Sequence, residues 1–305
     1  MERSSANKRP RTGEPSTMRA AVYHSFGGPI AVENVPRPKA PNGGVVLEVK
    51  ATGVCRSDWH GWKGHDSDIV DHGLPFVPGH ELSGIVSEVG TGVTNFAIGD
   101  RVAVPFILSC GHCRECARSR PTICESQQQP GFTIFGSFAE YVALPRADLN
   151  IAPLPAAVGF VAAAALGCRF TTAYRAVVQQ GKLDASDAVA VFGCGGLGLS
   201  CVMLAAAHGA HTIIAVDTNP AARDKALSLG EDPPPRPCHS SARTTLTTAS
   251  SVHARLTNSH RGARVHTAVC VVHRCTSCNR RDARLRPRAD HRRYADRRRR
   301  RGPCR

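Results

Sequence analysis

The chain has 305 residues, enough for about two domains, and no apolar run approaches the roughly 18 residues that a membrane-spanning helix needs. A net charge of +15 would suit a nucleic-acid partner, but residues 1–231 carry 20 Lys+Arg against 20 Asp+Glu, and the whole excess sits in residues 232–305, with 19 Arg, no Lys and four Asp. Neither a nucleic acid nor a membrane is therefore an expected partner.

Residues 1–17, MERSSANKRPRTGEPST, are polar and read as a disordered extension whose KRPR stretch is a solvated basic tail. They lack the hydrophobic core of a secretion signal, so a cytoplasmic location is expected. Thiols stay reduced there, and the thirteen cysteines then point to metal rather than disulfides. From Met18 the runs AAVYHSFGG, AVENVPRP, GGVVLEVKATGVC, HELSGIVSEVG, GDRVAVPFI and GSFAEYVALP alternate short apolar stretches with Gly and Pro. That grammar predicts a β-rich, barrel-like domain over residues 18–150. After Pro155 an Ala-rich segment, AAVGFVAAAALGCRFTTAYRAVVQQG, takes helical spacing. The strand AVAVFG, a glycine turn opening a helix, the strand HTIIAVD and a second helix follow. This βαβα series predicts the start of a doubly wound sheet over residues 151–231.

Gly193, Gly195 and Gly198 form G-x-G-x-x-G, with Gly196 and Leu197 between them. The motif alone is weak. Between a predicted strand and a predicted helix it gains its confirming context, a backbone that can approach a pyrophosphate at a helix N-terminus. Asp217, 19 residues after Gly198, stands where a carboxylate accepts from an adenosine ribose and repels a 2′-phosphate, which favours NAD over NADP. The rival reading is a tight turn with no ligand. Cys110, Cys113, Cys116 and Cys124 are spaced C-x2-C-x2-C-x7-C, open to a metal cage or a redox pair; the redox reading leaves the fourth cysteine unexplained. Cys55 in GVCRSDWH, His80 and Glu81 in VPGHE, and Cys168 in ALGCRFTTAYRA are too far apart for the sequence alone to join.

In their order, GVCRSDWH, GHE, the four-cysteine stretch, GCRFTTAYRA and GCGGLG resemble a zinc-dependent alcohol dehydrogenase of the medium-chain dehydrogenase/reductase family, from about Met18 to Gly230. The resemblance implies a GroES-like catalytic domain followed by a partial Rossmann domain. It implies two Zn2+ per chain: a catalytic ion on Cys55, His80 and Cys168 with Glu81 near, and a structural ion on Cys110, Cys113, Cys116 and Cys124. Asp58 would orient the histidine ligand, Ser57 and His60 would relay a proton, and Arg56 would meet the pyrophosphate. The implied reaction is hydride transfer between an alcohol and NAD, giving an aldehyde or ketone. Trp59 and Trp62 remain open between pocket and core. The intact family is homo-oligomeric; that state is doubtful for this chain.

At residue 232 the resemblance stops. EDPPPRP stands where a further strand is expected, and the Arg-rich remainder lacks a stable period. Residues 232–305 are read as a disordered basic tail. A frameshift, a truncated paralogue and a functional Arg-rich arm are the competing origins. Cys270, Cys275, Cys278 and His273 are read as incidental. Half a doubly wound sheet with bare edges is expected to aggregate, and a non-catalytic zinc protein with a basic interaction tail is the alternative function.

Overall fold

Strand β1 (Thr17–Tyr23) pairs antiparallel with β2 (Ile30–Pro36), from Thr17 opposite Pro36 to Tyr23 opposite Ile30. This computed structural model describes residues 16–185, 187–230, 245–248 and 268–272. Residues 1–15 of the disordered extension expected over residues 1–17 lie outside them, and β1 already takes up Thr17.

Strand β3 (Val45–Gly53) leads into two short helices, α1 (Arg56–Trp62) and α2 (Ser67–His72), and then β4 (Glu81–Val89) and β5 (Arg101–Val104). After α3 (Arg114–Ala117) come β6 (Tyr141–Leu144), α4 (Ala147–Asn150) and β7 (Ala152–Pro153). Strands β3 to β7 make one antiparallel sheet in the order β6-β3-β4-β5-β7. Register shifts between Val46 and Leu47 and between Val49 and Ala51 bend β3. The Ala21 N–H donates to Phe138 O at 2.7 Å, tying β1 to the turn before β6. Val45, Leu47, Leu82, Val86, Val102, Val104, Val142 and Leu144 fill the core beneath this sheet. Their alternation with half-buried residues along β5 and β6 is the period of a strand with one buried face. The sheet reaches β7, past residue 150, where the sequence reading sets its boundary.

Residues 160–180 form one helix of mixed pitch. It opens as α5 (Phe160–Ala165), widens to π-helical geometry over Leu166–Phe170, returns to α6 (Thr171–Tyr174) and widens again over Arg175–Gln180. The second half of the chain follows: β8 (Ala188–Phe192), α7 (Gly196–Ala207), β9 (Thr212–Val216) and α8 (Pro220–Gly230). Strands β8 and β9 run parallel, Ala188 opposite Thr212, as a βαβ crossover requires. Val189, Val191, Cys201, Val202, Ile213, Ala215 and Ala226 form a second core.

One expectation is corrected. Two strands follow Gly230: β10 (Thr245–Thr248), parallel to β9, and β11 (Ala268–Val272), antiparallel to β8, giving the order β10-β9-β8-β11. The β-branched runs TLTT and AVCVV meet the unpaired N–H and C=O groups that an edge strand presents. The edges expected to be bare are thus paired over these residues. The remainder of the expected tail lies outside the described residues, as do Cys275, Cys278 and His273. Among the described residues no helix is long and apolar enough to cross a membrane.

Candidate active site and metal centres

Cys55 is the N-cap of helix α1, and the helix's third residue turns back on it: the Cys55 N–H donates to Asp58 Oδ2 at 2.8 Å, one half of a capping box. The other oxygen, Asp58 Oδ1, pairs with His80 Nδ1 at 3.0 Å, and both side chains are buried. One carboxylate therefore fixes the backbone of one candidate ligand and the ring of another. With Nδ1 engaged, His80 is left with Nε2 for a metal.

Cys55, His80, Glu81 and Cys168 offer ligand atoms that all lie within 4.8 Å of one another. They come from the start of α1, the start of β4 and the first π-helical stretch. Wide turns of this kind recur where a helix must re-aim side chains at a site. Glu81 fits because its neighbour on β3 is a glycine: a Cβ on Gly53 would lie 2.2 Å from Glu81 Oε2. Arg169 Nη2 donates to that same oxygen at 2.6 Å, while Glu81 Oε1 is buried with no partner among the described residues.

The electrostatics are those of a ligand set. A hydrogen bond from Cys168 is the main reason that the Cys55 thiol falls to about 3, and the same contact, with burial, pushes Cys168 up. The pair shares one proton. Burial opposes charge on His80, yet its hydrogen bonds to Asp58 and Cys55 prevail and raise it to about 9. Burial raises the Glu81 carboxyl against the pull of Arg169. Two sulfurs, an imidazole and a carboxylate oxygen without a partner make a donor set that zinc fits.

The second centre lies between β5 and β6. Cys110, Cys113, Cys116 and Cys124 also lie within 4.8 Å of one another, with Cys113 Sγ 3.7 Å from Cys124 Sγ. Backbone N–H groups point at the sulfurs: Cys113 N–H at Cys110 Sγ and Cys110 N–H at Cys124 Sγ, both 3.3 Å. The N–H groups of Cys116 and Glu125 lower the Cys113 thiol to about 6, and desolvation pushes Cys116 up to about 11. Four thiols in a closed shell suit a structural zinc and leave no position for a substrate.

Other expected site residues fall around these centres. Ser57 Oγ lies 3.8 Å from Cys55 Sγ. His60, one turn along α1, has its Nδ1 3.3 Å from His65 Nδ1, with the Trp59 ring edge-on to both. The Arg56 guanidinium sits 4.5 Å over the Trp59 ring. Trp62 packs with the Tyr23, Ile69, Phe76 and Phe132 cluster and donates to Gly28 O at 2.7 Å, so it is core. In the glycine turn a Cβ on Gly198 would meet Gly193 O at 1.8 Å, so only glycine permits this approach of α7 to β8. Around Gly195 the space is open. Leu197 leans on the second core. Asp217 accepts from the N–H groups of Asn219 (2.8 Å) and Cys194 (2.7 Å), which hold its carboxyl below the ordinary range.

The residue that sequence reasoning missed is Arg169. It lies within the quoted GCRFTTAYRA, but its partner Glu81 is 88 positions away, a contact no local pattern announces.

Comparisons with known proteins agree with this geometry. Residues 41–156 match the profile of the alcohol dehydrogenase GroES-like domain. An alcohol dehydrogenase of Geobacillus stearothermophilus is 38% identical over 227 residues, covering 74% of this chain and 65% of that protein. The alcohol dehydrogenase TADH of Thermus sp. ATN1 superposes with a TM-score of 0.65 at 34% identity, covering 71% of this chain and 62% of that one. An E. coli CFT073 alcohol dehydrogenase complexed with cofactor NADH superposes with a TM-score of 0.64 at 31% identity, over 72% and 62% of the two chains. The chain thus spans less than two thirds of the length of each.

Proposed function

Because the chain belongs to the medium-chain, zinc-dependent alcohol dehydrogenase family, we propose that it transfers hydride between an alcohol and NAD, forming an aldehyde or ketone. The observation that carries this reading is the convergence of Cys55, His80, Glu81 and Cys168 within 4.8 Å, from three separate elements. Cys55, His80 and Cys168 would hold a catalytic zinc with Glu81 beside it, and Cys110, Cys113, Cys116 and Cys124 a structural one. When bound, the catalytic zinc supplies Lewis acidity that lowers the pKa of a substrate hydroxyl, and NAD supplies the hydride acceptor.

The chain's own groups do the rest. Asp58 holds the His80 ring and the Cys55 backbone in place. Ser57 Oγ, beside Cys55, takes the hydroxyl proton, and His60 passes it to solvent. The N–H groups of Gly195, Gly196, Leu197 and Gly198 would hold a pyrophosphate, with Gly193 making the turn and Arg56 as a further candidate ligand from α1. Asp217, kept ionised by its backbone donors, would accept from ribose hydroxyls. The division into a catalytic domain over residues 18–150 and a dinucleotide domain over 151–231 is part of this reading, with homo-oligomerisation left to measurement. The eight cysteines between residues 16 and 230 are free, which favours a reducing, cytoplasmic setting.

The test is a metal count together with an assay. About two zinc ions per chain and alcohol-dependent growth of the reduced-nicotinamide absorbance are expected, the latter lost in Cys168→Ser. Full zinc content without binding or reduction of NAD would reduce the chain to a non-catalytic zinc protein.

A further inference from the structure

We propose that Arg169 is a phosphate ligand for the dinucleotide and that it is shared with Glu81, so that dinucleotide binding and the freedom of Glu81 are coupled. The inference rests on the reading above that the turn after β8 takes a dinucleotide. The side chain stands between the two halves of the site. Its Nη2 donates to Glu81 Oε2 at 2.6 Å. Its Nη1 lies 3.1 Å from where a Cβ on Gly196 would stand, which puts the guanidinium over the first residue of α7. Its Nε is buried and has no hydrogen-bond partner among the described residues.

A guanidinium there adds full positive charge to a helix end that already favours anions through its free N–H groups and dipole. Its planar fork can grip a phosphate oxygen as it grips a carboxylate. The two acceptors then compete for one side chain. A phosphate arriving at Gly196 draws Arg169 away from Glu81 and leaves a fully buried carboxylate whose other oxygen is already without a partner. Glu81 offers a ligand atom within 4.8 Å of those of Cys55, His80 and Cys168, so a metal held there can take the freed carboxylate. Coupling of this kind is reciprocal: whatever draws Glu81 toward the metal set frees Arg169 for phosphate.

The test titrates ADP-ribose, which carries the pyrophosphate without the nicotinamide, into the full zinc-loaded chain by calorimetry. Arg169→Gln is expected to weaken binding tenfold or more. Glu81→Gln is expected to tighten it at least threefold, because the unshared arginine is free. Arg169→Gln strands a buried carboxylate and could misfold, so the double variant Arg169→Gln/Glu81→Gln supplies a neutral control expected to bind as weakly as the single one. In the Co2+-loaded chain, ADP-ribose is expected to shift the visible absorption of wild type and to leave that of the double variant unmoved. Equal affinity in wild type and double variant overturns the role of Arg169 and leaves the dinucleotide reading standing. A Glu81→Gln chain that binds no more tightly overturns the sharing. A wild-type chain that binds no ADP-ribose overturns both.

Discussion

Asp58 carries two obligations on one carboxylate. Its oxygens accept from His80 Nδ1 and from the Cys55 N–H, at 3.0 and 2.8 Å, inside a buried pocket. An asparagine has one acceptor oxygen for those two donors, so Asp58→Asn leaves one of them unpaired, at a cost of about 1–3 kcal/mol. The ring also loses the partner that makes Nε2 a good ligand. Zinc affinity at the Cys55–His80–Cys168 set is expected to fall roughly 10–100-fold, read by competition with a chromophoric chelator; an unchanged affinity would show that the carboxylate is not supporting the ligands. Protons give a second reading of the same cluster. Metal binds deprotonated ligands. In the metal-free chain Cys55 is already a thiolate at neutral pH, since it titrates near 3, whereas His80 titrates near 9 and Cys168 higher still. Filling this site near pH 7.5 should therefore release about two protons, and affinity should rise as pH climbs toward 9. Calorimetry in buffers of different ionisation heat, with the four-cysteine centre filled beforehand, counts them. Release near zero would contradict the proton assignment.

At the scale of elements, the four-cysteine centre braces a stretch with little regular structure of its own, a four-residue helix and a single 3-10 turn between Cys110 and Cys124. Such a lobe gets its order from the ion rather than from a core. Cys113→Ser is expected to remove one zinc per chain and to make residues 110–124 the first site of limited proteolysis. The sheet core beneath Val45, Leu47 and Leu82 should stay protected; cleavage spread evenly over the chain would mean that the lobe is not a separate unit. The spacing of those cysteines was legible because the ligands are close in sequence. The strands β1 to β6 were legible for a similar reason: each is a short apolar run closed by Gly or Pro, and alternation survives in the burial of β1, β5 and β6. The glycine turn was legible because its glycines answer to backbone crowding, Gly198 against Gly193 O above all. Helix α1 was not, since its start depends on Asp58 turning back to Cys55 rather than on an apolar period. The π-helical stretch around Cys168 was hidden as well: widening the helical turn leaves composition unchanged and alters only where side chains aim. Arg169 was unreadable because its meaning is supplied by Glu81 and Gly196, each brought to it by the fold.

At the scale of the whole molecule, the two cores differ in how they end. The first is a five-stranded sheet with β6 and β7 as its outer strands and β1 tied to the turn before β6. The second begins as a two-stranded parallel pair, too few strands to stand in water unaided. It is completed by strands from beyond Gly230, where no continuation of the sheet was expected: β10 pairs with β9 and β11 with β8. If those pairings hold the second core together, a chain cut after Gly230 loses both flanking strands at once. It then exposes two rows of unpaired backbone groups above an apolar layer of Val189, Val191, Ile213 and Ala215. Such a 1–230 chain is expected to elute from size exclusion as soluble aggregate while the full chain stays monodisperse by light scattering. The four-cysteine centre belongs to the other core, so both chains should bind one Co2+ there, which separates edge exposure from global unfolding. Equal monodispersity of the two chains would show that the pairing of β10 and β11 is not what keeps the second core soluble.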